Sequence, residues 1–294
     1  MKITNKFILF ASILVLLASC KYEDFVTDFT FSSVYFPRQT NTRTFVVGEN
    51  QSIEIGVVMG GKLGLNNPEQ WVDFKIDSTL LVGKGLTLLP ADYYTLSNTS
   101  RFIIPNGEVQ GAIVMTIDTA KFLNDPLAAK AKYALPLRLK TSSLDSILPA
   151  KSTQIITLKF ENQLFGNYYH NGVVEITTGT AIQTIYYHQD EPVTNAINNW
   201  ILTTTAPYSL LTNGIINIKG GINVLSLTVA KNNSVLLKNN PLSPIVVSPN
   251  GPCSYSPDKK QFYLQYKYTN SGKTYSAKDT LIFRNRILDG VNQW

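Results

Sequence analysis

Two histidines, His170 and His188, and a few acids, Glu161, Glu175, Asp190 and Glu191, are the side chains here whose types suit catalysis. The histidines sit in Tyr168-Tyr169-His170 and Tyr186-Tyr187-His188, without HExxH-type spacing or cysteine partners. That pattern gives no reason to expect a metal centre. Half-buried histidines on strand faces explain both; a pair meeting across a sheet is the alternative. Glycoside hydrolysis needs two carboxylates roughly 5–10 Å apart across the sugar. Asp190-Glu191-Pro192 reads instead as a solvated loop. A Gly-x-Ser-x-Gly elbow, a P-loop and a dinucleotide fingerprint are all missing from the sequence. The expectation is a non-enzyme with no catalytic residue, no metal and no cofactor.

Sugar binding without catalysis asks for less. Pyranose C–H faces stack on Trp and Tyr, and amide side chains bond the hydroxyls. Trp200, preceded by Asn198 and Asn199, is the first candidate, with Tyr169 and Tyr187 as further platforms. Trp200 also opens Trp200-Ile201-Leu202, where a tryptophan would belong to a core. Trp71 leads into Val72, Phe74 and Ile76 and reads as core.

A third chemistry lies near the start. Lys2 and Lys6 precede an apolar run from Phe7 to Leu17, too short to span a bilayer and of signal-peptide length. Leu17-Ala18-Ser19-Cys20 follows, the spacing that lipoprotein processing reads. Residues 1–19 are expected to be a signal peptide and Cys20 the lipidated first residue of a tether, 20–30. Cys253 then has no partner and reads as a small buried residue rather than a reactive thiol. A net charge of +6 without a run of basic residues gives no nucleic-acid footprint.

The elements that must position these residues are strands. Ile53, Ile55 and Val57 alternate with Glu54 and Gly56. Tyr133 to Leu139, Ile156 to Phe160 and Phe262 to Tyr268 do the same, with turn signals such as Asn106-Gly107 and Ser271-Gly272 between runs. Pro136 points to an edge strand. Helix is confined to a single turn capped by Asp118, through Phe122, and another turn or two after Asp125-Pro126, over Leu127 to Lys132. The class is all-β. A boundary is expected near 162, because 5 of the 15 tyrosines precede residue 161 and 10 follow it.

Val34-Tyr35-Phe36-Pro37, Leu89-Pro90-Ala91-Asp92-Tyr93-Tyr94 and Tyr133-Ala134-Leu135-Pro136-Leu137 occur in that order. This stretch resembles the N-terminal domain of Bacteroidetes surface lipoproteins. Gly166-Asn167-Tyr168-Tyr169 with Gly172, Tyr255-Ser256-Pro257-Asp258 and the closing hairpin resemble the β domain that often follows it. The resemblance implies an immunoglobulin-like sandwich over 31–161 and an antiparallel sandwich or barrel over 162–294. It also implies a lipoprotein of the outer membrane, facing the cell exterior, that captures glycan beside a SusC/SusD-like transporter complex. Lys21, Glu23 and Asp24 after Cys20 resemble that group's surface-export signal.

On this reading the C-terminal part binds and the first domain is a spacer. The alternative is a structural or adhesive surface protein that binds another protein. Asp77-Ser78-Thr79, Asp118-Thr119-Ala120, Asp145-Ser146-Ile147 and Asp279-Thr280-Leu281 resemble O-glycosylation triplets of the same envelope, with Ser78, Thr119, Ser146 and Thr280 as acceptors. Turn and cap chemistry by the aspartates is the competing account.

Overall fold

Period-2 patterning becomes strands along the whole chain. The computed structural model describes residues 29–49, 51–62, 68–188, 200–212, 225–241 and 243–286. The signal peptide, Cys20, Lys21, Glu23, Asp24, Asn198 and Asn199 lie outside the described residues.

The first part is a sandwich. One sheet contains β1 (Ser32–Tyr35), β3 (Ser52–Gly61), β6 (Tyr94–Leu96), β8 (Gln110–Ile117) and β10 (Ser146–Ile147), in the order β10-β1-β3-β8-β6. The facing sheet contains β2 (Thr40–Val46), β4 (Gln70–Ile76), β7 (Arg101–Ile104), β9 (Tyr133–Ser142) and β11 (Thr153–Glu161), in the order β2-β11-β9-β4-β7; β5 (Thr87–Leu88) adds to β9. In β8 the alternation is complete: Gly111, Ile113, Met115 and Ile117 face inward and their neighbours face water. Edge-on contacts among Phe45, Phe122 and Phe160 seal the interior. Each buried phenylalanine contributes about 1.5–3 kcal/mol. Phe122 comes from the helical turn Thr119–Phe122, capped by Asp118, and Asp125 caps the next turn, Pro126–Ala129.

Two expectations need correcting. Pro136 lies in β9, the middle strand of its sheet, not on an edge. It opposes Ile155, whose N–H donates away from it to Gln39 O at 2.8 Å. The pair is therefore a non-bonded one, and the ring nitrogen faces the gap between β5 and β4. Trp71 is half-buried on the outer face of β4, because Val72 and Phe74 take the inner positions. The Arg101 guanidinium lies 4.3 Å over its ring.

One residue runs against the core's chemistry. Arg43 in β2 shares the inward face with Phe45 and is 1% exposed. Its Nε and Nη2 find no hydrogen-bond partner among the described residues.

The second part is one sheet curled into a nearly closed barrel. Its strands are β12 (Gly166–Thr178), β13 (Ala181–Tyr187), β14 (Trp200–Ala206), β15 (Ser209–Thr212), β16 (Leu225–Val229), β17 (Val235–Asn239), β18 (Val247–Pro249), β19 (Ser254–Ser256), β20 (Gln261–Asn270) and β21 (Lys273–Asn285). The order is β17-β16-β15-β14-β12-β21-β20-β18, with β13 on β12 and β19 on β20. The ends of the sheet meet where Val235 N–H donates to Cys253 O and Tyr255 N–H to Asn233 O, both at 2.9 Å. Cys253 is buried there, and burial pushes its thiol up from the usual range.

Glu161 ends β11 and Gly166 opens β12. Between them Asn162 is buried and fully used: its N–H donates to Thr204 Oγ1 (2.8 Å), its Nδ2 to Pro207 O (2.7 Å), and its Oδ1 accepts from Leu164 N–H (2.7 Å). The linker is thereby fastened to the β14–β15 hairpin. The apolar interior forms separate clusters on either side of it, with Val46 of β2 reaching into the barrel's cluster.

Candidate functional site

The tyrosine-rich strands create a buried polar cluster. Gly172 of β12 is flanked by Tyr187 of β13 and by Asp279 of β21. A Cβ on Gly172 would stand 2.3 Å from Lys278 O and 2.7 Å from Tyr187 Oη, and its φ of +154° is in the left-handed range. Glycine thus lets Tyr187 cross the strand and donate to Asp279 Oδ1. Tyr266 donates to Oδ2 at 2.5 Å, and His170 Nε2 lies 3.0 Å from the same oxygen. Burial first, and the Asp279 charge second, push both phenols well above their usual range, so they remain donors. The His170 ring stacks on Trp200 at 4.4 Å and on Tyr187 at 4.8 Å.

This geometry corrects the sequence expectations for ligand platforms. Trp200 is 6% exposed and belongs to the barrel core, because it pairs with the fully buried Tyr168 and shares its face with Leu202. The Tyr187 hydroxyl is committed to Asp279. Tyr169 is half-buried, with the Arg284 guanidinium 5.8 Å from its ring. His188 is exposed and follows Tyr187 just past the end of β13, whereas His170 is half-buried within β12.

The acceptor triplets divide as well. Thr280 lies within β21, paired on both sides and half-buried, beside the buried Asp279. Ser78, Thr119 and Ser146 are exposed. Their aspartates are engaged locally: Asp77 and Asp118 cap helical turns, and Asp145 accepts from Ser32 N–H at 2.7 Å and Oγ at 2.9 Å.

A ligand-sized space lies elsewhere. A cleft of about 1280 Å³ lies between sandwich and barrel. The sandwich contributes the β2–β3 turn, Val47 to Glu49, with Thr119 and Leu123. The barrel contributes Tyr208, Lys231, Tyr255, Lys260, Phe283 and Arg284. Tyr208 sits in the Pro207-Tyr208 turn of the β14–β15 hairpin and is 63% exposed. Arg286 spans the two parts. Its Nη2 contacts Glu49 Oε1 at 2.6 Å and Oε2 at 2.8 Å, and Nη1 donates to Gln163 O at 3.4 Å. Such a wall offers an exposed aromatic face, cationic donors and amides.

The cleft residues escaped the sequence reading because they come from separate segments, each unremarkable alone. The available signals were an aromatic directly after Pro207 in a hairpin turn and a lysine in the tight turn Lys231-Asn232-Asn233.

Fold and site together define a two-part all-β protein, a sandwich followed by a barrel, with a cleft at the joint. Among the comparisons with known proteins, a solved structure shares that fold. A family model described as a "-like, N-terminal domain" matches residues 29–146. A solved structure of unknown function from Bacteroides ovatus is similar at a TM-score of 0.70 and 21% identity, covering 88% of this chain and 96% of that one. An auxiliary nutrient binding protein from Bacteroides thetaiotaomicron aligns at a TM-score of 0.46 and 12% identity, covering 84% and 91%. No curated protein matches.

Proposed function

We propose that this chain is a non-catalytic glycan-binding lipoprotein, held by Cys20 in the outer membrane and facing the cell exterior. It would work beside a SusC/SusD-like transporter complex, as its resemblance to Bacteroidetes surface lipoproteins implies. The cleft carries the reading. It joins an exposed aromatic ring, Tyr208, to hydrogen-bonding groups in a space large enough for several sugar rings. Among the described residues its lining holds one carboxylate, Glu49, already engaged by Arg286. The two-carboxylate arrangement of a glycosidase therefore has no support there. On this reading the sandwich is more than a spacer, because its β2–β3 turn supplies one wall.

A glycan array probed with the purified full-length protein tests the proposal, followed by titration of the hits against Tyr208→Ala. Saccharide binding that weakens at least about tenfold in the variant, at an unchanged melting temperature, supports it. An empty array, or hits indifferent to Tyr208, would refute it.

A second reading, a structural or adhesive protein that binds another protein, draws on β13. This strand pairs with β12 on one side, and Ile182 (68% exposed) and Tyr186 (81% exposed) stand on it in the open. Edges unpaired in this way, as this one is among the described residues, accept strands from partners. Tyr186→Lys would then abolish adhesion while leaving saccharide binding intact.

A further inference from the structure

We infer that the cleft selects acidic saccharides, those carrying carboxylate or sulfate groups, and that Lys231, Lys260 and Arg284 read the charge. The inference rests on the cleft being the glycan site.

The three cations come from three different elements and meet on one wall. Lys231 is in the turn between β16 and β17. That turn is closed by Asn233 N–H to Ala230 O and Ala230 N–H to Ser234 O, both at 2.9 Å, with Asn233 at a φ of +64°. Lys260 precedes β20 at a φ of +52°. Its N–H donates to Pro257 O at 3.2 Å, and its carbonyl accepts from Phe283 N–H at 3.0 Å. Arg284 projects from β21 beside Tyr169. Backbone geometry thus fixes where all three side chains start.

The balance of charge is one-sided. Lys231, Lys260 and Arg284 have no carboxylate partner among the described residues, and Glu49 is occupied from both oxygens by Arg286. Like charges gathered on a concave, partly apolar wall focus their field into the cleft. A neutral sugar would leave those charges to water. A uronate carboxylate or a sulfate ester would take them up through charge-assisted hydrogen bonds, with the planar guanidinium of Arg284 able to hold two oxygens at once. Tyr208 would still stack a ring face, so charge sets the choice of ligand while stacking serves any sugar.

Titration calorimetry on the full-length protein tests this with three probes of matched length: an oligogalacturonate, a sulfated chondroitin oligosaccharide and a neutral malto-oligosaccharide. At low salt, at least one acidic probe should bind about tenfold or more tighter than the neutral one, and the preference should shrink at high salt. Lys231→Gln with Lys260→Gln should erase most of the preference. That pair leaves Arg284 on Tyr169, so the fold is kept, and adding Arg284→Gln should remove the rest. The uronate and sulfate arms show which anion is preferred. Neutral and acidic probes binding equally, in a manner that needs Tyr208, would overturn the inference and leave the glycan reading standing. Acidic binding that ignores all three substitutions would also overturn it. Failure of every saccharide to bind would overturn both.

Discussion

Replacing Asp279 by alanine should be among the most damaging single changes in the barrel. Its side chain is fully buried and accepts from two phenols, with His170 Nε2 in contact. Alanine leaves the Tyr187 and Tyr266 hydroxyls without an acceptor, at about 1–3 kcal/mol per unsatisfied buried donor. Vacated space adds to this, while removing a buried charge gives some back. The net expectation is a loss of about 3–5 kcal/mol. Asp279→Asn keeps the shape and one carbonyl oxygen, and a hydroxyl can rotate to accept from the new amide, so about 1–2 kcal/mol is expected. The triple change Asp279→Leu, Tyr187→Phe, Tyr266→Phe removes donors and acceptor together and should cost less than Asp279→Ala alone. Urea unfolding followed by far-UV circular dichroism measures all of these. If alanine costs under about 1 kcal/mol, or if the triple variant is worse than the single, the donors are not held by Asp279 as described.

Three further outcomes are expected. Gly172→Ala places a methyl group against Lys278 O and the Tyr187 hydroxyl, so it should destabilise by at least about 1–3 kcal/mol, and Tyr187→Phe should recover little of that because the backbone clash remains; a neutral Gly172→Ala would contradict the register. Asp77, bonded first by the Thr79 hydroxyl and then by Arg138, has its carboxyl held well below the usual carboxylate range. A depressed folded-state value means stability present above the unfolded value, about 3.9, and lost as pH falls through the folded one; Asp77→Asn should therefore flatten the acid limb of the melting-temperature profile below about pH 4, and an unaltered limb would count against it. Arg43→Met should raise stability, by about 1–4 kcal/mol, because it exchanges a buried guanidinium whose Nε and Nη2 find no hydrogen-bond partner among the described residues for an apolar side chain of similar length; a loss of stability would mean that the charge is compensated.

Local rules carried much of the fold. Asp118 and Asp125 each cap a single helical turn where cap chemistry puts them, and the alternation in Ile53 to Val57, Ile156 to Phe160 and Phe262 to Tyr268 lies in strands. Pro136 misled because the edge rule assumes that the ladder on both sides is complete, whereas here one side has a gap. Trp200 could have been placed by parity: Leu202 faces inward, so Trp200 does too. The Asp279 cluster was beyond reach for a different reason. Its members lie on four strands, and only the register Tyr187–Gly172–Asp279 brings them together. The tyrosine enrichment that suggested ligand platforms was real, but pattern alone does not separate an aromatic that stacks on sugar from one that donates to a buried acid.

The same cluster favours the joint over the tyrosines as the proposed binding site. Tyr187 and Trp200 bracket residues 189–199 in sequence, and both rings rest on His170, at 4.8 and 4.4 Å. Asp279 in turn holds Tyr187, so both roots of that connection are tied to the barrel interior. Aromatics spent in this way cannot also open to a ligand without leaving buried donors unpaired, a cost of about 1–3 kcal/mol for each. Phe283, four residues along β21 and roughly 13 Å away along the strand, lines the cleft. There the Tyr208 hydroxyl has no hydrogen bond among the described residues and its ring already faces solvent, so stacking a sugar on it breaks no bond seen among them. The barrel thus separates two settings of its aromatic residues: those near Asp279 hold the sheet together, whereas Tyr208 at the joint faces solvent, where the proposed glycan site would use it.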